Sequence, residues 1–151
     1  MNPEHCFVFD TNALVSALLF DQSVPACAFF AATGRGRILL SQQTLAELSE
    51  VLQRKKFDRY LDRDDRDEFL SKLVHEATFV DVIEEIHACR DPKDDKVLEL
   101  AVGGSATCVV TGDEDLLVLH PFRGIPIMTP AQFLEWISQQ SADDESPKYE
   151  R

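Results

Sequence analysis

The stretch CFVFDTN at residues 6–12 decides the fold. It consists of a short apolar run, Cys6–Phe9, that ends at a single acid, Asp10. A continuous apolar run of this length is typical of a strand that is buried on both faces of a sheet. Thr11 can begin a helix directly after it, because apolar residues then recur with helical spacing. A buried strand that runs straight into a helix is the first half of a parallel α/β unit.

The same pattern recurs along the chain and predicts an α/β fold. Strands are expected at residues 6–9, 37–41, 78–82, 107–111 and 126–128. Helices are expected after residue 11, at 26–32, at 42–53, after the acidic segment RDDRDE, at 91–103 and from 129 onward. Alternation of short strands with amphipathic helices favours a central parallel sheet of four to five strands that is covered on both faces.

Length and composition predict one folded domain. The 151 residues would form a single unit over residues 1–139, followed by a polar, disordered tail at 140–151. No apolar run reaches the roughly 18 residues that a membrane span needs, and the start of the chain lacks the basic segment of a secretory leader. The four cysteines form no metal or redox motif, so a reducing, cytoplasmic location is expected.

Five acids stand where a strand ends or a helix begins: Asp10, Glu47, Asp94, Asp113 and Asp115. In parallel sheets the carboxyl ends of the strands share one edge, which is where ligands bind. If the first and fourth strands are neighbours, their acids meet there. Clustered carboxylates repel each other by roughly 4 kcal/mol per pair at about 4 Å. Oxygen-only ligands suit Mg²⁺ or Mn²⁺, either of which would remove that repulsion.

Helix geometry ranks the two helical acids. At about 100° per residue, Glu47 lies near the apolar stripe of its helix, whereas Glu50 points further toward solvent. Asp94 shares a face with apolar residues three, four and seven positions later, whereas Asp95 lies on a mixed face. Each acid also has a purely structural interpretation. Asp10 could cap a helix, Asp94 could complete a capping box, Glu47 could be a solvated surface acid, and the last two could belong to a turn.

Four segments together resemble the PIN domain, and in particular PIN-family toxins of toxin–antitoxin systems, similar to VapC-type toxins. They are VFDTN at 8–12, SQQTLAELSEVLQRKKF at 41–57, RDPKDDKVLELA at 90–101 and VVTGDEDLL at 109–117. The resemblance covers about residues 6–138. It implies a three-layer α/β/α sandwich and a metal-dependent endoribonuclease that hydrolyses RNA phosphodiester bonds with Mg²⁺ or Mn²⁺.

The resemblance also implies roles for single residues. Asp10, Glu47, Asp94 and Asp113 match the catalytic acids, and Asp115 matches a more variable extra acid. Together, Asp10, Asp94, Asp113 and Asp115 would hold metal, while Asn12 and Thr111 would support the site. A small antitoxin and a homodimer or higher oligomer are the implied protein partners.

Basic residues cluster despite a net charge of −12, since residues 35–66 hold more than half of the Lys and Arg. Arg35, Arg37, Arg54 and Lys55 are candidates for contacts with RNA phosphates, and ordinary surface charges are the alternative. Two other functions fit acids at strand ends. One is a Mg²⁺-dependent phosphatase or receiver-like phosphoryl-transfer domain, and the other is an acidic metal-binding module without nuclease activity.

Overall fold

The computed structural model describes residues 5–145, with side chains described up to residue 140. The strands are β1 Cys6–Phe9, β2 Arg37–Leu40, β3 Thr78–Phe79, β4 Cys108–Val110 and β5 Ile127–Met128. The α-helices are α1 Thr11–Leu19, α2 Val24–Arg35, α3 Gln42–Leu52, α4 Arg63–Glu76, α5 Asp95–Gly103, α6 Glu114–Leu117 and α7 Pro130–Glu145. Two short 3₁₀ turns, Lys55–Phe57 and Pro92–Asp94, complete the order.

The five strands form one parallel sheet in the order β3-β2-β1-β4-β5. Chain order reverses between β1 and β4, which pair in parallel with Phe9 beside Val110. This confirms the expected neighbourhood of the first and fourth strands. It also places the crevice of the sheet directly beyond the ends of these two strands.

Strand residues alternate between two separate cores, which makes the fold a three-layer α/β/α sandwich. Phe7 and Phe9 point to a core formed with helices α1, α2, α3, α4 and α7. Cys6 and Val8 point to the opposite core, formed with α5 and α6. Because both faces of β1 are covered, the strand carries no polar residue until it ends at Asp10.

The element boundaries differ most from the sequence expectations in three places, while several other element ends shift by a few residues. The third strand is only Thr78–Phe79, since it is the edge strand and pairs on one side. The helix expected over 91–103 is a 3₁₀ turn followed by α5. The last helix continues to Glu145, so residues 140–145, expected in a disordered tail, are helical. Residues 146–151 lie outside the described part of the chain.

Within residues 5–145, no single helix is long and apolar enough to cross a membrane. Helices α1 and α2 reach the length and apolar content of a membrane span only when they are taken together, and they meet at a bend of 102°.

Candidate metal centre

The carboxyl ends of β1 and β4 open into an acidic cavity of about 330 Å³. Six carboxylates and two cationic side chains line it, so its formal charge is −4 when all are ionised. The carboxylates are Asp10, Glu47, Asp91, Asp94, Asp113 and Asp115, and the cations are Arg54 and Lys93. The cavity therefore brings together all five acids that the sequence singled out, from β1, α3, the start of α5, and the segment after β4.

Three of these acids form a tight cluster. Ligand oxygens of Asp94, Asp113 and Asp115 all lie within 4.8 Å of one another. Asp94 is the residue before α5, and Asp113 caps α6, accepting a hydrogen bond of 2.9 Å from the backbone N–H of Asp115. At an effective dielectric of 20, two ionised carboxylates at this separation repel by roughly 3–4 kcal/mol.

Asp10 is buried at the floor of the cavity, with 7% of its surface exposed. One carboxylate oxygen caps α1 by accepting from the backbone N–H of Ala13 at 2.9 Å, and the other accepts from the hydroxyl of Thr111. The Thr111 hydroxyl oxygen in turn accepts from the backbone N–H of Asp113 at 3.0 Å. The helix cap suggested by the sequence is therefore present, and it holds the acid in the cavity.

The environment of the acids opposes their ionisation. Burial raises the pKa of Asp10, and the charges of Asp113 and Glu47 raise it further against the lowering effect of the two hydrogen bonds. Burial, followed by the charges of Asp113 and Asp91, raises the pKa of Asp94 to about 6. A divalent cation at this position would reverse both shifts, because it stabilises the ionised form.

Asp95 has a different role from Asp94. It is buried, and its carboxylate accepts from the backbone N–H groups of Ala88 and Cys89 at 3.1 and 2.8 Å. Burial acts to raise its pKa, but the hydrogen bonds from Cys89 and Ala88 outweigh it, so the pKa of Asp95 is lowered. Asp95 thus anchors the segment before α5, while Asp94 lines the cavity.

Glu47 reaches the cavity from α3. Its two oxygens accept from the Thr11 hydroxyl and, at 3.2 Å, from the Lys96 ammonium group. Glu50 is exposed and pairs instead, at 3.0 Å, with Arg54, which follows the end of α3. The orientation of these two acids agrees with the helix-face argument from the sequence.

A family model described as the PIN domain matches residues 6–115. The chain belongs to the PIN-domain family. The match contains Asp10, Glu47, Asp94, Asp113 and Asp115. Members of this family are generally nucleases that use divalent metals, which favours a nuclease over a phosphatase or receiver domain.

Solved structures share the fold of this PIN domain. One is PAE2754 from Pyrobaculum aerophilum, 14% identical, covering 89% of this chain and 90% of its own, with a TM-score of 0.54. Another is VapBC2 from Rickettsia felis bound to a DNA fragment from their promoter, 16% identical. It covers 82% of this chain and 98% of its own, with a TM-score of 0.56. No curated protein matches the sequence.

The donor set of this PIN domain fits a hard divalent cation. All the clustered ligand atoms are carboxylate oxygens, which are the ligands that such cations prefer. Burial and the charge of Asp113 raise the pKa of Asp94 to about 6, and a bound cation would offset both effects, which gives a physical reason for a cation to bind there. The residues present therefore suit Mg²⁺ or Mn²⁺.

The predicted RNA-contact residues fall on different parts of the PIN domain. Arg54 lines the acidic cavity, while Lys55 begins the turn after α3. Asn12, which was expected to support the site, also lines the cavity and is exposed. Arg35 and Arg37 lie at the amino end of β2, and Arg37 pairs in register with Cys6 at the start of β1. The cavity lies at the opposite, carboxyl ends of the strands, so Arg35 and Arg37 do not line it.

Several site residues escaped the sequence reasoning. Lys96 and Thr11 bind Glu47, Asp91 and Lys93 line the cavity, and the exposed Arg90 lies 3.4 Å from Asp115. All except Thr11 occur within the segment RDPKDDKVLELA, directly beside Asp94. The sequence signal for them is the mixture of basic and acidic residues around Asp94, because residues this close in sequence to a site acid lie near the site in the fold.

Proposed function

We propose that this protein is a metal-dependent endoribonuclease and the toxin of a toxin–antitoxin pair. The observation that supports the proposal best is the convergence of five acids from four parts of the chain on one cavity in a PIN-domain fold. A cavity of about 330 Å³ that is open to solvent can receive a phosphodiester together with a cation.

Asp94, Asp113 and Asp115 would hold the cation, with Asp10 beneath them. The bound cation would polarise a phosphate oxygen and make a water molecule more acidic. Thr111 keeps Asp10 in place, and the cap of α6 keeps Asp113 in place. Asp10 and Asp113 are preorganised in this way, because backbone N–H groups or a neighbouring hydroxyl hold their carboxylates.

Glu47 would act on the attacking water. Its carboxylate is fixed by Thr11 and Lys96 and faces the same cavity as the metal-binding acids. A carboxylate oriented in this manner can accept a proton from a water molecule and align it for in-line attack on phosphorus. Arg54 lies at the edge of the cavity, where its guanidinium can contact a neighbouring phosphate.

A second groove, of about 370 Å³, adjoins the cavity and offers a path for the RNA. Asn12 lines both, and the groove continues past Gly112 to Thr129 and Pro130. Its surface is mostly apolar, which suits the face of a nucleobase better than a phosphate. The two cavities together would accept a phosphate and an adjacent nucleoside.

Cleavage of labelled RNA tests the enzymatic proposal. We expect the wild-type protein to cleave an RNA oligonucleotide pool with Mn²⁺ or Mg²⁺ and not with EDTA. The D113N variant should lose at least 100-fold in rate. D81N is the matched control, because Asp81 is an exposed aspartate outside the cavity. Equal cleavage by D113N and D81N would refute the assignment, and a stable phosphoprotein formed with a small phospho-donor would favour the phosphoryl-transfer alternative.

The toxin role rests on the family and on the fold shared with VapBC2. We propose a small antitoxin as partner, a homodimer or higher oligomer, and a cytoplasmic location, with which the four free cysteines agree. Expression of the wild-type chain alone should arrest growth, whereas D113N should not. Arrest by both proteins would show that toxicity, if present, does not come from the acidic cavity.

A further inference from the structure

We propose that Lys96 takes the place of a second metal ion, so that this site binds one divalent cation rather than two. The inference rests on the proposed metal-dependent function and specifies the composition of that site. In this proposal Lys96 is a positioning residue that acts by holding the carboxylate of Glu47.

The acids divide into two groups. Asp94, Asp113 and Asp115 form the tight cluster, and among the described residues Glu47 is not a member of it. Both oxygens of Glu47 are already engaged, one by the hydroxyl of Thr11 and the other by the ammonium group of Lys96. Among the described residues, by contrast, no lysine lies within ion-pair distance of the tight cluster, and the one basic partner found there is the exposed Arg90.

Lys96 is well placed to act as a fixed charge. Its ammonium nitrogen lies 3.2 Å from Glu47 and also donates to the backbone carbonyl of Lys93. The side chains of Lys96 and Glu47 are only 20% and 26% exposed, so solvent screens the pair less than a surface pair. Lys96 therefore ties α3 to the turn that carries Asp94.

This position is where a second cation would have to bind. A cation shared between Glu47 and the cluster would have to compete with Thr11 or Lys96 for a Glu47 oxygen, and it would be repelled by the ammonium charge. An ammonium group neutralises a carboxylate and donates hydrogen bonds, but it offers no coordination position for water or phosphate. The single cation is thus confined to the aspartate cluster, and Glu47 is left as a hydrogen-bond acceptor.

Counting bound Mn²⁺ tests the inference independently of cleavage. Electron paramagnetic resonance titration of the full chain should give one Mn²⁺ per wild-type molecule. The K96M variant should bind two, with the second at least 10-fold tighter than any second binding to the wild type. K96R should bind one, because it keeps the charge. The double variant E47Q/K96M should also bind one, because the second cation needs the Glu47 carboxylate.

A control variant and the number of ions bound distinguish a failure of the role of Lys96 from a failure of the proposed metal-dependent function. K72M removes an exposed lysine that does not line the acidic cavity and should leave one Mn²⁺ bound. Two bound ions in the wild type, or one in a folded K96M, would overturn the role of Lys96 and leave the nuclease proposal standing. No Mn²⁺ bound to the wild type would overturn the metal centre itself. If circular dichroism shows that K96M is unfolded, K96Q provides the same test.

Discussion

The hydroxyl of Thr111 donates a hydrogen bond to the carboxylate of Asp10 across 101 residues of sequence. The contact exists because β1 and β4 are parallel neighbours that end together, and the backbone N–H of Asp10 donates to the carbonyl of Val110 at 3.2 Å. Through its oxygen, Thr111 also holds the backbone of Asp113. One side chain therefore fixes two acids of the proposed metal centre.

Replacing Thr111 by valine should weaken metal binding. The variant keeps the shape of the side chain but leaves a buried carboxylate oxygen without its donor, which costs about 1–3 kcal/mol of unfolding free energy. T111S retains the hydroxyl and is the matched control. We expect Mn²⁺ titration to show weaker binding for T111V than for T111S. Equal affinities for the two variants would mean that the hydrogen bond does not position Asp10 or Asp113.

Replacing Asp10 by asparagine should separate stability from function. Asparagine caps helices about as well as aspartate, and it removes a charge that burial disfavours. Without metal, the melting temperature of D10N should equal or exceed that of the wild type. With Mn²⁺, the rise in melting temperature should occur in the wild type and be absent in D10N. A less stable apo variant that still gains stability from Mn²⁺ would contradict this role for Asp10.

The metal-free protein should lose stability as the pH rises from about 4 toward 7. The pKa of Asp94 is about 6 in the folded protein against an ordinary 3.8, so folding favours its protonated form. That contribution is fully present below the unfolded pKa and is lost as the pH rises through about 6. Denaturant unfolding in EDTA should show that the unfolding free energy of the wild type falls relative to that of D94N as the pH rises over this range. Parallel curves for the two proteins would show that Asp94 is not perturbed.

Arg66 should be essential for stability. It is 1% exposed and donates to the carbonyls of Leu52 and Arg54 while pairing with Asp58. R66M leaves the carbonyls of Leu52 and Arg54 without their donor, which costs about 1–3 kcal/mol for each buried group, whereas the half-exposed carboxylate of Asp58 can be solvated by water. R63M, at an exposed position of the same helix, is the control and should stay within about 0.5 kcal/mol of the wild type. Similar unfolding free energies for both variants would contradict the structural role of Arg66.

Much of the fold followed from the sequence because each strand obeys a simple pattern. Phe7 and Phe9 alternate with Cys6 and Val8 between two cores, and this requires helices on both faces. The reversal of strand order at β1 then brings Asp10 next to the segment that carries Asp113. Glu47 could be selected over Glu50 from helix geometry alone, since one face of α3 packs against the core.

The parts that could not be predicted depend on long-range contacts. The sequence suggested a five-residue third strand, but β3 ends at Phe79. The backbone N–H of Val80 still donates to the carbonyl of Leu40 at 2.9 Å, and the chain then leaves the sheet. It is held instead by α5, where Glu99 accepts from the backbone N–H of Ile86 at 3.0 Å and Asp95 accepts from Cys89. Likewise, nothing local to Lys96 shows that its partner is 49 residues away on α3. A basic residue is near the site only if it lies at the carboxyl ends of the strands. Arg37 lies at the amino end of β2, and its position in the sequence did not show that it would be far from the site.

Anomalous diffraction from a crystal soaked in Mn²⁺ tests the central claim most directly. We expect one strong anomalous peak in the acidic cavity, within about 2.0–2.3 Å of oxygens from Asp94 and Asp113, with Glu47 still bound to Lys96. The D113N variant, soaked in the same way, should lose the peak. A cavity without Mn²⁺ at saturating concentration, or a peak that persists unchanged in D113N, would contradict the assignment of these acids as a metal centre.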